Sequence, residues 1–163
     1  MTRDSAQAPI SLHIASADEM RQLGVRLGHF LEVGDVVALI GPLGAGKTTF
    51  VQGLAHGLGV PAHRHVASPT FALVNQHPGR IDFVHVDFYR VKSPSELPEL
   101  GLEEAYDQAA TAIEWADRFP DWLPADSLHI DIGMAGDEGR VLRVHGTGSR
   151  SSMLARVWSP GSS

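Results

Sequence analysis

The sequence predicts an α/β layered domain, with helices flanking a mixed, mostly parallel sheet that ends in an antiparallel hairpin. Three observations predict it. The apolar run VVALI (36–40) leads straight into the glycine-rich GPLGAGKT (41–48) and then into a stretch of helical periodicity. Two further apolar runs, IDFVHVD (81–87) and ATAIE (110–114), each end in an acid. Two pairs of strand-like segments close over turns, which makes the sheet mixed rather than purely parallel.

Each element has its own signal. Residues 1–9 are polar and read as a flexible N-terminus, residues 10–158 as one domain, and 159–163 as a disordered tail. ISLHIAS (10–16) alternates as a short strand does. Ser16 then precedes a segment in which Met20, Leu23, Leu27, Phe30 and Leu31 recur at helical spacing, and Glu19 completes a capping-box signature. Gly34-Asp35 turns the chain into the buried strand. Beyond the glycine loop, Phe50, Val51, Leu54 and Leu58 share a helical face that Gly59 and Pro61 end. Residues 61–70 read as a loop. FALVNQ (71–76) and IDFVHVDFYR (81–90) flank a turn, forming a hairpin-like pair. The acidic stretch 92–107, broken by Pro94 and Pro98, holds short helical turns. ATAIEW (110–115) is another buried strand, and DRFPDWLPADS a loop. SLHIDIGM and GRVLRVHG form the final hairpin, and SMLARVW a short helix.

With 163 residues, 43% of them hydrophobic, the chain can bury a real core. Its net charge of −6 argues against a basic groove for DNA or RNA, while leaving action on nucleic acid through a partner open. There is no cysteine, hence neither disulfides nor a thiolate zinc site, which suits a reducing cytosol. No apolar run approaches the ~18 residues of a membrane span, and the N-terminus lacks a signal-peptide pattern. The expectation is a soluble cytoplasmic protein.

Gly41, Gly46, Lys47 and Thr48 fit G-x-x-x-x-G-K-[ST], the phosphate-binding P-loop. Glycine lets the backbone take positive φ and approach an anion closely, and the N–H groups and the following helix N-terminus then surround the phosphates. Gly41, Pro42, Leu43, Gly44, Ala45, Gly46 and Thr49 are therefore candidate nucleotide contacts. Lys47 would reach the β- and γ-phosphates, and the Thr48 hydroxyl would enter the Mg²⁺ shell. The bland alternative, a glycine turn capping a helix, needs these four positions by chance, less than about one time in a hundred at average composition. The expected fold is thus P-loop NTPase-like. Such a site needs an acid at a neighbouring strand end, holding the metal directly or through water. Asp87 and Glu114 are both candidates, each otherwise a solvated strand-end carboxylate. His85 shares a face with Asp87 and reads as a packed or hydrogen-bonded histidine rather than a ligand. Arg90 is either an anion contact or a surface ion pair. His63 and His65 lack the partners of a zinc site. Taken alone, Ser68-Pro69-Thr70 is only a turn.

The ordered set GPLGAGKTTF, SPTFALV, HVDFYR, ELGLEEAYD and AIEWADR resembles the TsaE (YjeE) family, from about Ser16 to about Val144. These are small bacterial P-loop ATPases of the tRNA threonylcarbamoyladenosine pathway. The resemblance implies that Lys47 and Thr48 are the phosphate lysine and metal threonine, and that Thr70 lies in a switch-like loop. It puts Asp87 and Glu114 with Lys47 in catalysis, both acids beside the metal with Thr48. Trp115 falls on the family's Glu-Trp pair, Ser16 and Ala17 open the helix near the adenine, and Arg140 maps to the final hairpin. Pro42, and Ala-Asp-Arg after Trp115, depart from the family's usual residues without touching an expected ligand group.

The function implied is a Mg²⁺-dependent ATPase, binding ATP and ADP, that acts with the TsaD–TsaB pair in t6A modification and meets tRNA only through that complex. Two rival readings are a small-molecule kinase and a nucleotide-gated binding module. The kinase requires an arginine-bearing lid, for which Arg118 among three aspartates is a poor candidate.

Overall fold

The computed structural model describes residues 9–61, 66 and 73–159. The expectations for residues 1–8 and 160–163, the histidines at 63 and 65, and the Ser68-Pro69-Thr70 loop lie outside the described residues.

In chain order the elements are β1 (Ile10–Ile14), α1 (Ala17–Gly28), β2 (Val36–Ile40), α2 (Lys47–Gly57), β3 (Val74–His77) and β4 (Phe83–Asp87). A 3-10 helix (Pro94–Leu100), α3 (Leu102–Gln108) and β5 (Ala110–Glu114) follow. After two short 3-10 turns come β6 (Leu128–Ala135), β7 (Gly139–Gly146) and α4 (Ser149–Leu154), which runs on into a 3-10 turn at Ala155–Trp158. The strands form one sheet in the order β1-β7-β6-β2-β5-β4-β3. Its centre is parallel, with β2 between β5 and β6, and β4 beside β5. The outer pairings, β1–β7, β6–β7 and β3–β4, are antiparallel. The mixed sheet and C-terminal hairpin predicted from sequence are both present.

Two apolar layers hold the sheet. On one face α1, α2 and α4 bury Leu27, Phe50, Leu54 and Leu154 against Val37, Leu39, Ile130 and Leu142. On the other, the 3-10 helix and α3 bury Leu97 and Leu102 against Val84, Val86 and Ile113. Among the described residues no helix is long and apolar enough to cross a membrane.

Helix α1 differs from the sequence reading. Its start is as expected: the Ser16 hydroxyl accepts from the Glu19 amide at 3.2 Å. The Glu19 carboxylate, however, reaches back to the Ala15 amide at 2.7 Å rather than to Ser16. The helix stops at Gly28, leaving Phe30 beyond it and 45% exposed while Leu31 is buried. Arginines from distant segments meet the carbonyls around this end: Arg80 donates to Gly28 and Leu31, and Arg150 to Phe30. Arg150 also bonds the buried Asp35 carboxylate at 3.0 Å, tying α4 to the start of β2.

Helices α1 and α2 pack through glycine. A Cβ on Gly24 or Gly28 would overlap a carbonyl oxygen of α2, and one on Gly53 or Gly57 a carbonyl oxygen of α1. The spacing of four in each helix puts both glycines on one face, so the two backbones touch over a full turn.

Candidate functional site

Strands β2, β4 and β5 run parallel and end at the same edge of the sheet, where α/β proteins place their ligand crevices. A cleft of about 370 Å³ opens there. The loop after β2 supplies Leu43, Gly44, Gly46, Lys47, Thr48 and Thr49; the end of β4 supplies Asp87, Tyr89 and Arg90; the end of β5 supplies Glu114 and Trp115.

The loop owes its shape to glycine at two positions. Gly44 has φ +78° and Gly46 φ +110°, left-handed conformations that side chains resist. Gly46 is also the N-cap of α2, so the helix N-terminus faces the cleft. Pro42 accepts from the Ala45 amide at 3.1 Å, Ala45 is buried, and Leu43 is 68% exposed at the mouth. The Lys47 ammonium folds back on its own loop, donating to the carbonyls of Gly41 at 2.6 Å and Pro42 at 2.8 Å. It also stands 4.2 Å from the centre of the Trp115 ring. Burial pushes its pKa down, opposed by the nearby charges of Glu114, Asp87 and Asp117.

The two acids are neighbours across the sheet, Asp87 paired with Glu114 in register. Both are buried. The Thr48 hydroxyl lies 3.2 and 3.3 Å from the two Glu114 oxygens. His85 Nε2 lies 2.6 Å from Glu114 Oε2, so this histidine is hydrogen-bonded, as its place in the strand suggested. Asp87 accepts from the Tyr89 amide at 2.8 Å. Its pKa is raised, first by burial and then by the negative charge of Glu114, against lowering by the Tyr89 amide, His85 and Lys47.

Alternation alone would point Trp115 away from Glu114. The chain instead turns into the left-handed region at Trp115, φ 58° and ψ 37°, which carries the ring to the cleft. There it packs on Tyr89, ring centres 4.8 Å apart.

A second cavity of about 120 Å³ lies on the other side of the loop, lined by Ser16, Ala17, Met20, Thr49, Glu138 and Arg140 among others. The Arg140 guanidinium is engaged with backbone, donating to Ala45 at 3.1 Å, Gly44 at 3.2 Å and Gly139 at 2.8 Å. It therefore braces the loop as well as lining the cavity. Arg118 donates to the carbonyls of Phe88, Tyr89 and Val91, fixing the segment after β4. Arg90 is exposed at the cleft.

Sequence reasoning thus named Gly41 to Thr49, Asp87, Glu114 and Trp115, which meet at one edge of the sheet, and Ser16, Ala17 and Arg140, which line the second cavity. Thr70 lies outside the described residues. The reading missed Tyr89 and the bracing roles of Arg118 and Arg140. Tyr89 had a local signal, two residues beyond a strand-end acid, whereas the arginine contacts join segments far apart in sequence.

The family profile described as threonylcarbamoyl adenosine biosynthesis protein TsaE matches residues 14–142. A protein of Bacillus subtilis, named tRNA threonylcarbamoyladenosine biosynthesis protein TsaE, is 39% identical, covering 84% of this chain and 85% of its own. Relatives of the same name from Treponema pallidum and Streptomyces coelicolor are 38% and 40% identical, covering 79% and 80% of this chain and 95% and 93% of theirs. The crystal structure of Bacillus subtilis YdiB superposes with a TM-score of 0.78 at 33% identity, over 91% of this chain and 92% of that one. The matched span takes in the loop, both acids and Trp115, and on that basis this chain belongs to the TsaE family.

Proposed function

We propose that this protein is a Mg²⁺-dependent ATPase of the cytoplasm that supports threonylcarbamoyladenosine modification of tRNA, acting with homologues of TsaD and TsaB. One observation carries the reading: Lys47, Thr48, Asp87 and Glu114 share a single cleft at the ends of three parallel strands. The name shared by the relatives supports the tRNA pathway.

The residues suit ATP and its cation. The N-terminus of α2 faces the cleft and favours anionic phosphate. Lys47 adds a positive charge beside them. Mg²⁺ is typically held by one or two carboxylates together with phosphate oxygens and water, and the Thr48 hydroxyl with two buried acids offers such a set. When bound, the cation neutralises charge on the phosphate oxygens. The chain's own share is positional. The Thr48 hydroxyl meets the Glu114 carboxylate at the cleft, where the carboxylate orients water or serves the metal shell. The Tyr89 amide holds Asp87.

Hydrolysis by the isolated chain is slow in this reading. Arg118 and Arg140 are engaged with backbone carbonyls, which leaves Arg90, among the described residues, as the guanidinium at the main cleft. Charge supplied by a partner is worth roughly 10³–10⁵ in phosphoryl transfer. A net charge of −6 also suits indirect contact with tRNA.

Phosphate release from Mg·ATP, followed with and without purified TsaD–TsaB homologues, tests the proposal. Slow release alone and marked acceleration by the pair are expected. Fast turnover indifferent to the pair contradicts the coupling, and transfer to a small acceptor in place of phosphate release indicates a kinase. Lys47→Ala should keep the fold and lose roughly 1.5–3 kcal/mol of triphosphate binding, at least about tenfold in affinity by calorimetry.

A further inference from the structure

We propose that His85 is the positioning residue of Glu114: its Nε2–H grips the carboxylate from inside the sheet and holds it facing Thr48 and the cleft. The proposal rests on the ATPase reading for its catalytic consequence, but not for the contact itself.

The geometry is set by β4 and β5. His85 and Asp87 project to one face of β4, opposite Ala112 and Glu114 of β5. His85 pairs with Ala112, and its imidazole reaches along the sheet to Glu114, Nε2 lying 2.6 Å from Oε2. The ring has no solvent exposure and stacks on Phe83, centres 6.5 Å apart and planes at 16°. Its other nitrogen, Nδ1, is buried and finds no hydrogen-bond partner among the described residues.

Hydrogen-bond accounting then selects the tautomer. A proton on Nδ1 would strand a buried N–H and turn the Nε2 lone pair on a carboxylate oxygen. A proton on Nε2 alone donates to Glu114 and leaves only a bare lone pair at Nδ1. Glu114 is thereby held from two sides, by the imidazole within the core and by the Thr48 hydroxyl at the cleft. Asp87 accepts from a different donor, the Tyr89 amide.

The test has two arms. In the first, long-range ¹H–¹⁵N spectra of the nucleotide-free protein at one neutral pH should show His85 as the Nε2–H tautomer with a slowly exchanging proton. Glu114→Ala should lose that protection. An Nδ1–H tautomer, or a proton indifferent to Glu114→Ala, would overturn the proposal. In the second arm, His85→Phe keeps the ring's bulk without the donor. It should leave ATP affinity near parental, cut turnover about 10–100-fold and raise the Mg²⁺ concentration for half-maximal rate, as loss of an outer-shell partner does. His85→Gln, which restores an N–H, should recover part of both. Parental turnover and Mg²⁺ dependence in a folded His85→Phe protein would leave the histidine a packing residue and sink the idea. A parent protein that hydrolyses no ATP would fail the ATPase reading instead, and the spectra would still decide the pairing.

Discussion

Trp115 occupies a backbone conformation, φ 58° and ψ 37°, that large side chains seldom adopt, directly after the strand that carries Glu114. The strain delivers its ring to Lys47 and Tyr89. Its fluorescence should therefore change when nucleotide displaces the lysine, and Trp115→Phe should abolish the change. The other two tryptophans lie away from the cleft: the Trp158 indole donates to Leu23, and Trp122 lines a separate pocket near α3. A nucleotide signal that survives in Trp115→Phe would contradict the placement. Asp87 yields a prediction in pH. Its folded pKa lies above the ordinary 3.8, so the folded state holds this proton more tightly than the unfolded chain does. Well below pH 3.8 both states are protonated and the group is neutral to stability. As pH rises from there through the raised value, the folded state alone bears the cost of a desolvated charge, and the penalty then levels off. Asp87→Asn should thus melt at or above the parent temperature at pH 7, lose that advantage well below pH 3.8, and hydrolyse ATP poorly. A neutral-pH melting point well below the parent would show that the carboxylate stabilises the fold.

At the scale of the element, the contact between α1 and α2 is the most demanding in the fold. Gly53→Ala improves helix propensity by about 1 kcal/mol yet drives a methyl group into the Arg21 carbonyl. Overpacking of this kind costs about 1–3 kcal/mol, so urea unfolding should show a net loss. Gly133→Ala is the control. Its Cβ would meet nothing nearer than 3.9 Å, and stability should stay within about 0.5 kcal/mol of the parent. Equal stability of the two variants would mean that the helices separate at little cost. The pattern was open to reading, since Gly24 and Gly28 stand four apart, as do Gly53 and Gly57. What no local pattern held was the length of α1. Its apolar spacing continues to Leu31, but the helix ends at Gly28, where Arg80 and Arg150 arrive from far along the chain to take its carbonyls.

Across the whole molecule, the legible parts were those in which chemistry and local order coincide. Residues 41–48 combine a strand end, a turn and a helix start with the groups that an anion requires. Asp87 and Glu114 stood out because a buried apolar run has little reason to end in an acid. The parts not legible depend on strands meeting side by side: the pairing of Asp87 with Glu114, the bond from His85, and the bracing of the loop by Arg140 from β7. The glycine contact has a further meaning at this scale, in motion. Side chains at an ordinary helix interface can change rotamer and let the helices slip, but two touching backbones have no such freedom. The first turn of α2 forms the floor of the main cleft, and the first turn of α1 borders the second cavity. The two floors thus rest on one helix pair in backbone contact. Amide hydrogen exchange should register this as one shared opening event, with residues 23–27 and 50–54 released at the same free energy and later than the amides of α3.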